Sequence, residues 1–467
     1  MNNEPESRPS PAEGGESAGA AKTAKMTAAV PGSGRVVPDK AVLNKAVPKK
    51  AVPNKVTTQL SAQGAAPLLK RSRRQKRRRT KYVLRALLGV LLPLIGYVAV
   101  TMYPYITGPG TDPLNARVAE WARDHGLSRV VTWLENENYT APPTGGKLSP
   151  SQLALLKSKS KSQGGPQKQG QASTTGANGE TAAKAPAGPP PDLPTNITPL
   201  AAGQIPGEGV WQPAVLSASG VPIVETAALR PDREHTSALA YVAWLNQKAL
   251  SFSLHPGYQQ PGGSWSTPDE LTQDQRPGLV ATWNGGFKVR PDDALGGFYA
   301  EGQTAVSLVS GRAAEVFYTD GSMKVGLWGR DESMQSNVAA VRENLNLLVD
   351  NGQVTVGQYD GSGAQWGYTI MGWYYIARSG VGMTANGDIV YVSGSELSVY
   401  TLAQLLKAAG ATYGMELDIN PSWVSFMTYN GIADPADPTP TKLWDFAQPA
   451  NRYFEPSDRD FVAVHAR

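Results

Sequence analysis

The stretch LSVYTLAQLLKAAGATYGMELD, residues 397–418, contains the clearest helix pattern of the sequence and ends with two acidic residues in MELD. Its apolar side chains recur at helical spacing along one face: Leu402, Leu405, Leu406 and Ala409. Ser398 can cap the first turn, and Gly410 can end the helix in the left-handed conformation. The pattern predicts a helix from Ser398 to Ala409, after which the chain reaches Glu416 and Asp418.

Short strand-like runs precede this helix from about residue 205 onward. They are rich in aromatic and β-branched residues: GVWQPAVLS, ALAYVAWL, GLVATWNGGF, AVSLVSG, AEVFYTDG, MKVGLWG and DIVYVSG. Many of them end in Gly, Asn-Gly or Asp-Gly, which is typical of hairpins. Because helices are few among many strands, residues 205–467 are predicted to form a strand-rich, mixed α+β globular domain.

Charge is distributed unevenly along the chain. Residues 1–204 contain 28 Lys and Arg against 12 Asp and Glu, whereas residues 205–467 contain 16 against 27. The net charge of +5 therefore comes from the N-terminal part, and the acidic globular part argues against nucleic acid as a partner. The chain has no cysteine, which excludes disulfides, thiolate metal sites and a cysteine nucleophile.

An uncharged apolar segment, ALLGVLLPLIGYVAVTM from Ala86 to Met102, extends to Ile106 and predicts a transmembrane helix over residues 86–106. Residues 70–85 contain ten Lys and Arg, so the positive-inside rule predicts a cytoplasmic N-terminus and an extracytoplasmic C-terminal domain at the cell membrane. Residues 70–106 are therefore expected to contact membrane lipid. The alternatives are a signal peptide, which would have a shorter apolar stretch and no long leader, and a nucleic-acid patch for the basic run.

Three further segments are distinguished by composition. Residues 1–69 have few large apolar side chains and no structural period, and are predicted to be a disordered cytoplasmic leader. Residues 111–140 space apolar side chains at helical intervals around a break at Gly126, which predicts a helical pair or a bent helix, called the stalk here. Residues 141–204 are rich in Gly, Ser, Gln and Pro and are expected to be a flexible linker.

Five segments occur in an order that resembles the phosphodiester glycosidase family. They are LVATWNGGF (279–287), GGFYAEG (296–302), ARSGVGMTANGDIVYV (377–392), LSVYTLAQLLKAAGATYGMELD (397–418) and RDFVAV (459–464). The resemblance covers about residues 235–467 and implies a mixed α+β fold and hydrolysis of a sugar-1-phosphodiester, typically one carrying N-acetylglucosamine. Asn284, Gly285 and Gly286 match the Asn-Gly-Gly turn of the family. Arg378 and Ser379 match its Arg-Ser strand, and Asp418 matches the Asp of its Leu-Asp-Gly-Gly-Gly-Ser loop.

The loop after the acidic pair departs from that family pattern. It reads LDINPSWVSF, with Ile419, Asn420 and Pro421 in place of glycines and with Ser422 retained. Glycine lets backbone amides approach a phosphate closely, whereas Pro421 has no amide hydrogen and Ile419 is branched. An amide-lined phosphate cradle is therefore in doubt. Either Arg378 and Ser422 take more of the phosphate binding, or the substrate differs, or catalysis is lost.

Cleavage of a glycosyl phosphodiester needs carboxylates and a phosphate-binding cation. Glu416 and Asp418 would share one face of a strand, which could raise one pKa enough for a general acid, although a strand-end carboxylate can also simply cap the next loop. Arg378 could hold a phosphate bidentately or pair with an acid of the domain. The candidate catalytic residues are Asp418, Glu416 and Glu301, and the candidate substrate-binding residues are Asn284, Gly285, Gly286, Arg378, Ser379 and Ser422.

Cofactor signals are weak. Glu301 could be a metal ligand, and His235 and His255 could be bases or ligands, but the histidine spacing forms no zinc motif. No Gly-x-Gly-x-x-Gly opens a helix, so a dinucleotide is not indicated. The cofactor and metal requirement is left open, and a divalent cation is possible.

Three functions are consistent with these features. The first is a membrane-anchored extracytoplasmic glycosidase that hydrolyses sugar-1-phosphodiester linkages in cell-envelope glycan or exopolysaccharide. The second is a catalytically inactive module that binds glycan or phosphoglycan, and the third is a membrane-tethered scaffold. Retention of Asp418, Arg378 and Asn284 favours the enzyme, whereas the altered loop favours the binding module.

Overall fold

The computed structural model describes residues 66–161, 193–289, 295–358, 365–367 and 375–467. Residues 1–65 of the predicted leader and residues 162–192 of the predicted linker lie outside this range. Two units are distinguished, residues 1–82 and 83–467. The sheets and the candidate site belong to the second unit.

Helices and strands are distributed as the sequence patterns predict, with helices few and strands many. The helices of the described part are α1 Ala66–Thr107, α2 Leu114–Asp124, α3 Ser128–Asn138, α4 Pro150–Lys161 and α5 Val399–Ala408. The strands are β1 Gln212–Leu216, β2 Pro222–Leu229, β3 Ala240–Leu245, β4 Leu250–His255, β5 Leu279–Asn284, β6 Phe298–Ala300, β7 Gln303–Val306, β8 Ala313–Tyr318, β9 Met323–Leu327, β10 Val338–Glu343, β11 Leu347–Asp350, β12 Gln353–Val354, β13 Ile376–Thr384, β14 Ile389–Leu397, β15 Ala411–Glu416, β16 Phe426–Tyr429, β17 Pro440–Lys442 and β18 Phe461–Ala466. The predicted mixed α+β class is confirmed.

The strands form three sheets. One has eight strands in the order β1-β2-β3-β14-β13-β15-β11-β12, and two have five, in the orders β7-β6-β10-β8-β9 and β17-β16-β5-β18-β4. Antiparallel hairpins join β8 to β9 around Asp320-Gly321 and β13 to β14 around Asn386-Gly387. These are turns that Asp-Gly and Asn-Gly dipeptides favour, because Gly321 and Gly387 take positive φ values of 80° and 87°.

The three sheets share one hydrophobic core. Val381 and Met415 of the eight-stranded sheet, Trp283 of β5 and Phe317 of β8 are all buried in it. Burial on this scale is the main favourable contribution to folding. It also means that a polar side chain pointing inward from β13, β15 or β5 must find a partner inside the protein.

Helix α5 covers the other face of the eight-stranded sheet. Leu402, Leu405 and Leu406 are fully buried there. The Ser398 hydroxyl accepts a hydrogen bond from Thr401 N at 3.0 Å, and Gly410 ends the helix with a φ of +96°. The predicted cap, apolar face and end of this helix are therefore all confirmed. The helix leads the chain into β15 and so towards Asp418.

Helix α1 contains the predicted membrane segment. Residues Arg78–Thr107 are long and apolar enough to cross a membrane, and it is the one such helix of the described residues. Its large apolar side chains, among them Leu87, Val90 and Leu94, are exposed rather than packed inside the protein. A row of exposed leucines and valines is costly in water and favourable in lipid.

The stalk consists of two short helices, α2 and α3, separated at Gly126, which has a φ of +79°. Trp121 of α2 packs against the end of α1, and its indole Nε1 donates to Thr101 Oγ1 at 3.1 Å. The helical pair is thus attached to the end of the apolar helix rather than projecting freely from it.

The N-terminal part of the segment 141–204, which the sequence predicts to be a flexible linker, packs against the domain. Residues 150–161 form α4, and Leu148 and Leu156 are buried against Ala228 and Leu239 of the domain. A Cβ at Gly207 would lie 1.8 Å from the Leu156 carbonyl oxygen, so the domain approaches this segment closely. The average composition is polar, but a few leucines within it find an apolar surface to cover.

Candidate active site

Asp418 lies two residues beyond the end of β15, where the chain leaves the eight-stranded sheet. Its carbonyl still pairs with β13, accepting from Ser379 N at 2.9 Å. Its carboxyl group is buried, with Oδ1 accepting from Asn420 N at 2.8 Å and Oδ2 lying 3.9 Å from Arg459 Nη1. The main chain therefore fixes this carboxyl at the end of a strand, next to a cation.

Burial raises the pKa of Asp418 to about 6, because the loss of hydration outweighs the attraction of Arg459 and the hydrogen bond from the Asn420 amide. A carboxyl group with this pKa exchanges its proton close to neutral pH. Such a group is suited to proton transfer during catalysis.

Asn284 and Ser379, two predicted substrate-binding residues, form the support beneath Asp418. Asn284 Nδ2 donates to Ser379 Oγ at 3.0 Å, and Asn284 Oδ1 accepts from Tyr391 OH and Ser425 N, both at 3.0 Å. The Asp418 amide donates to Ser379 Oγ at 3.1 Å. These contacts give Asn284 and Ser379 a positioning role in this structure, since their polar groups are bonded within the protein.

Gly285 and Gly286 allow the turn after β5 to pass over a buried ion pair. Arg342 Nε and Asp460 Oδ2 are 2.8 Å apart, and both side chains are almost fully buried. A Cβ at Gly285 would lie 2.0 Å from Asp460 Oδ2, and a Cβ at Gly286 would lie 3.1 Å from Arg342 Nη2. The close approach explains the two glycines without any contact to a ligand.

Gly285→Ala is expected to reduce the free energy of unfolding by about 3 kcal/mol, since the added methyl group displaces the Asp460 carboxylate from its partner. Gly286→Ala is the matched comparison and should cost less, because its nearest neighbours are side-chain atoms at 3.0 Å or more. Chemical denaturation of both variants measures the difference. Equal stability of the two variants would contradict this interpretation.

Arg378 and Glu416 form an ion pair inside the domain. The guanidinium Nη1 donates to Glu416 Oε1, and Nε donates to the Leu397 carbonyl at 2.9 Å. Burial raises the pKa of Glu416, and the charge of Arg378 opposes that rise. Both side chains are at most 1 % exposed. In this arrangement Arg378 balances Glu416 rather than facing a phosphate, which differs from the substrate-binding role expected for it.

The altered loop uses its own side chains to bind its amides. Asp418 Oδ1 accepts from Asn420 N, and Asn420 Oδ1 accepts from Ser422 N at 2.9 Å. The Ser422 carbonyl accepts from Gln448 Nε2 at 2.8 Å. Two amides that glycines would leave available to a phosphate are therefore occupied, in line with the doubt raised by the sequence.

Glu301 lies apart from this group, in the turn between β6 and β7. Its carboxylate accepts from the amides of Ser266 and Thr267 at 2.8 and 2.6 Å. Slight burial would raise its pKa, but these hydrogen bonds prevail and lower the pKa of Glu301 to about 2. The side chain is exposed and holds a loop, so its contacts do not bring it to Asp418.

The histidines have structural partners. His235 Nδ1 lies 3.1 Å from Asp232, and His255 Nδ1 bonds the Pro268 carbonyl at 3.0 Å. Burial lowers the pKa of His255 to about 4, so it is neutral at physiological pH. Among the residues that the structure describes, no group of three or more His, Asp or Glu is arranged to hold a metal ion.

Arg459 next to Asp418, and the two residues linked to it, Glu120 and Lys288, were not among the sequence candidates. Arg459 lies two residues before the start of β18, with its guanidinium carbon 4.6 Å from the centre of the Trp423 ring. Lys288 follows the Asn-Gly-Gly turn and contacts the stalk residue Glu120, as does Arg459. The signal for Arg459 was a pair of charged residues, Arg459 and Asp460, before the apolar run FVAV.

The stalk covers this part of the domain. Gln448 Nε2 bridges Asp112 Oδ1, at 2.8 Å, and the Ser422 carbonyl, while Tyr258 OH donates to the Pro109 carbonyl at 3.1 Å. Asp418 and Arg459 are 4 % and 8 % exposed in this region. Two surface clefts of about 350 and 490 Å³ lie elsewhere, and both are lined by Lys248 and Arg467.

Comparison with known proteins bears on this site. Residues 277–430 match the family model for phosphodiester glycosidase, which confirms the resemblance seen in the sequence. The match includes Asn284, Arg378 and Asp418, whereas Arg459 lies beyond it. No curated protein sequence matches the chain.

Two solved structures are similar at low identity. The catalytic domain of zebrafish N-acetylglucosamine-1-phosphodiester alpha-N-acetylglucosaminidase, auto-inhibited by pro-peptide, is 15 % identical with a TM-score of 0.35, covering 55 % of this chain and 88 % of that one. A hypothetical protein from Synechocystis is 13 % identical with a TM-score of 0.34, covering 53 % of this chain and 63 % of the other.

Proposed function

We propose that this chain, which carries a phosphodiester glycosidase domain at residues 277–430, is a membrane-anchored hydrolase that cleaves sugar-1-phosphodiester linkages outside the cell. The substrate class is cell-envelope glycan or exopolysaccharide. Helix α1 and the basic residues 70–85 before it support an anchored domain with the N-terminus inside. The tether would keep the substrate within reach of the outer membrane face.

One observation carries the proposal: Asp418 is buried at the end of β15 with its pKa raised to about 6 and a guanidinium beside it. Cleavage of the sugar–phosphate bond develops positive charge at the anomeric carbon and negative charge on the departing phosphate. An ionised Asp418 can stabilise the first charge, and Arg459 can stabilise the second.

The reaction balances without a further reactant besides water. A water oxygen bonds to the anomeric carbon while the bond from that carbon to the phosphate oxygen breaks. Asp418 accepts the water proton and passes it to the released phosphate monoester or to solvent. Asn284 and Ser379 serve as positioning residues, because they hold the backbone of Asp418.

The direct test is incubation of the full-length protein in detergent with an N-acetylglucosamine-1-phosphodiester, followed by measurement of free N-acetylglucosamine. We expect sugar release in proportion to enzyme concentration. No release between pH 5 and 8 would contradict the enzymatic proposal.

A catalytically inactive glycan-binding module is the second candidate. The occupied amides of Asn420 and Ser422 favour it, since they leave fewer donors for a phosphate than a glycine loop would. Binding to isolated cell-wall glycan without any sugar release would support the module against the enzyme.

The pH dependence of the reaction follows from Asp418. Because its ionised form is the working form, kcat/KM should be constant above pH 7 and fall by about tenfold per pH unit well below pH 6. A phosphodiester stays ionised through this range, so the profile reports the enzyme. A rate that is flat or that rises on acidification would contradict the assignment of Asp418 as a base.

A further inference from the structure

Two cations of the domain converge on a single carboxylate oxygen of the stalk. Lys288 Nζ lies 2.8 Å and Arg459 Nη2 lies 2.7 Å from Glu120 Oε1. Glu120 belongs to α2 and is 5 % exposed. Burial alone would favour its neutral form, but the two charges and their hydrogen bonds lower the pKa of Glu120 to about 2. The domain therefore holds an anion in a buried cationic pocket.

The same guanidinium connects this anion to the candidate catalytic carboxyl. Arg459 presents Nη2 to Glu120, and its Nη1 lies 3.9 Å from Asp418 Oδ2. The Trp423 ring stacks beside the guanidinium and fixes its plane. The anion thus lies one guanidinium away from Asp418. In a sugar-1-phosphodiester the phosphate is bonded to the anomeric carbon, so a carboxylate that acts on this carbon must lie close to the group that binds the phosphate.

Other groups that could hold a phosphate are occupied. Arg378 is enclosed with Glu416, and the amides of Asn420 and Ser422 are bonded within their loop. Arg459 retains a donor, since its Nε is buried without a hydrogen-bond partner among the described residues and lies 4.0 Å from Asp458 Oδ2. Arg378 also has an unbonded donor, Nη2, but it lies in the interior beside Glu416. Arg459 now donates a hydrogen bond to one carboxylate oxygen, Glu120 Oε1, whereas a guanidinium can bind two oxygens of a phosphate at once.

Acids other than Glu120 also surround the two cations: Asp124 Oδ2 lies 3.3 Å from Lys288 Nζ, and Asp458 Oδ2 lies 4.0 Å from Arg459 Nε. Burial and the nearby Asp112 raise the pKa of Asp458 well above its ordinary range, despite the charge of Arg459. Asp418 is likewise raised to about 6. Glu120 is the acid of this group whose pKa is lowered, so it supplies the stable negative charge.

We propose that Lys288 and Arg459 form the binding site for the phosphate group of the substrate, and that Glu120 of the stalk occupies this site until substrate displaces it. The identity of the phosphate as part of a sugar-1-phosphodiester rests on the proposed function. The anion site itself requires only the geometry of the two cations. The stalk would then compete with substrate from its position at the end of the membrane helix.

The stalk has other contacts that would hold it in place without this carboxylate. Asp112 of the stalk accepts from Gln448, and the Pro109 carbonyl, just before the stalk, accepts from Tyr258. A Cβ at Gly110 would lie 2.3 Å from the Pro456 carbonyl oxygen, which shows how closely these two segments of the chain pack. Removing the charge of Glu120 should therefore remove the carboxylate that the two cations share and leave the stalk docked, with Lys288 Nζ still 3.3 Å from Asp124 Oδ2.

The test compares inorganic phosphate binding by full-length Glu120→Gln and the parent, using titration calorimetry in detergent at pH 7.5. We expect at least tenfold tighter binding by Glu120→Gln, because an attached competitor is removed. Glu120→Asp shortens the side chain by one methylene and so draws the carboxylate away from the cations. It should give a smaller gain in phosphate affinity, and it replaces Glu120→Gln in the test if that variant is unstable. Glu135→Gln is the matched control. It changes the charge by the same amount, but Glu135 pairs with Arg123 within the stalk.

A double variant, Glu120→Gln with Lys288→Gln, should lose the gain in phosphate affinity. Equal phosphate affinity of Glu120→Gln, Glu135→Gln and the parent would overturn the proposal. The diester assay separates this proposal from the proposed function. Tighter phosphate binding by Glu120→Gln with no sugar release would support the anion site and contradict the glycosidase, whereas sugar release with unchanged phosphate affinity would do the reverse.

Discussion

Asp418→Asn is expected to reduce the rate of sugar release between about 100- and 10,000-fold, the range found when a group that transfers a proton is removed. Asparagine keeps an oxygen that can accept from the Asn420 amide, so the loop after β15 should be retained. The amide cannot accept a proton from water or stabilise positive charge at the sugar. The measurement is kcat for an N-acetylglucosamine-1-phosphodiester at pH 7.5.

The same substitution should not lower stability, and this separates a catalytic role from a structural one. The pKa of Asp418 is raised from 3.8 to about 6, so between these values the folded state binds more protons than the unfolded state. Stability is therefore lost as pH rises through this window, and above it the charged carboxylate costs about 3 kcal/mol. Asparagine removes this cost, so at pH 8 Asp418→Asn should unfold at a temperature equal to or above that of the parent.

Asp350→Asn provides a control for a carboxylate outside the site, since Asp350 pairs with Arg330 at an exposed position. It should leave kcat unchanged. Full activity in Asp418→Asn would exclude Asp418 as the catalytic carboxylate. A large loss of thermal stability would instead show that the carboxylate is needed for folding.

The local elements of this fold could be predicted because their signals are contained in a few neighbouring residues. Ser398 and Gly410 bound α5 as their capping preferences indicate, and the Asp-Gly and Asn-Gly turns join the strands they were expected to join. The position of Asp418 at the end of a strand follows from the same kind of signal. Each of these conclusions depends on contacts within about ten residues.

The partners of the site residues depend on contacts across the chain, and composition carries no signal for them. From the sequence, Arg378 could equally face a phosphate or an acid. Because β13 is buried on both faces, its side chains do not alternate between polar and apolar, and the pattern does not show which way Arg378 points. Arg459 meets Glu120 across a separation of 339 residues. The α4 segment was expected to be flexible, because a few leucines weigh little in a polar average although they decide whether the segment packs.

Arg378→Met gives the second large effect, and it concerns stability. The substitution leaves Glu416 buried without its cation, and removal of one partner from a buried pair typically costs about 3–5 kcal/mol. Arg330→Met is the matched control, because the Arg330 side chain is 43 % exposed and pairs with Asp331 at the surface, where an ion pair contributes about 1 kcal/mol or less. Chemical denaturation of the two variants should differ accordingly.

A double variant, Arg378→Met with Glu416→Leu, decides whether the pair is structural. If Arg378 serves mainly to balance Glu416, apolar side chains in both positions should recover most of the lost stability, since neither charge is then left buried. The double variant should also keep measurable sugar release, because Arg459 and Asp418 are intact. If Arg378 instead binds the phosphate of the substrate, stability would recover while KM stays strongly raised. That result would place the phosphate site inside the domain, at the buried pair of Arg378 and Glu416, rather than at Lys288 and Arg459.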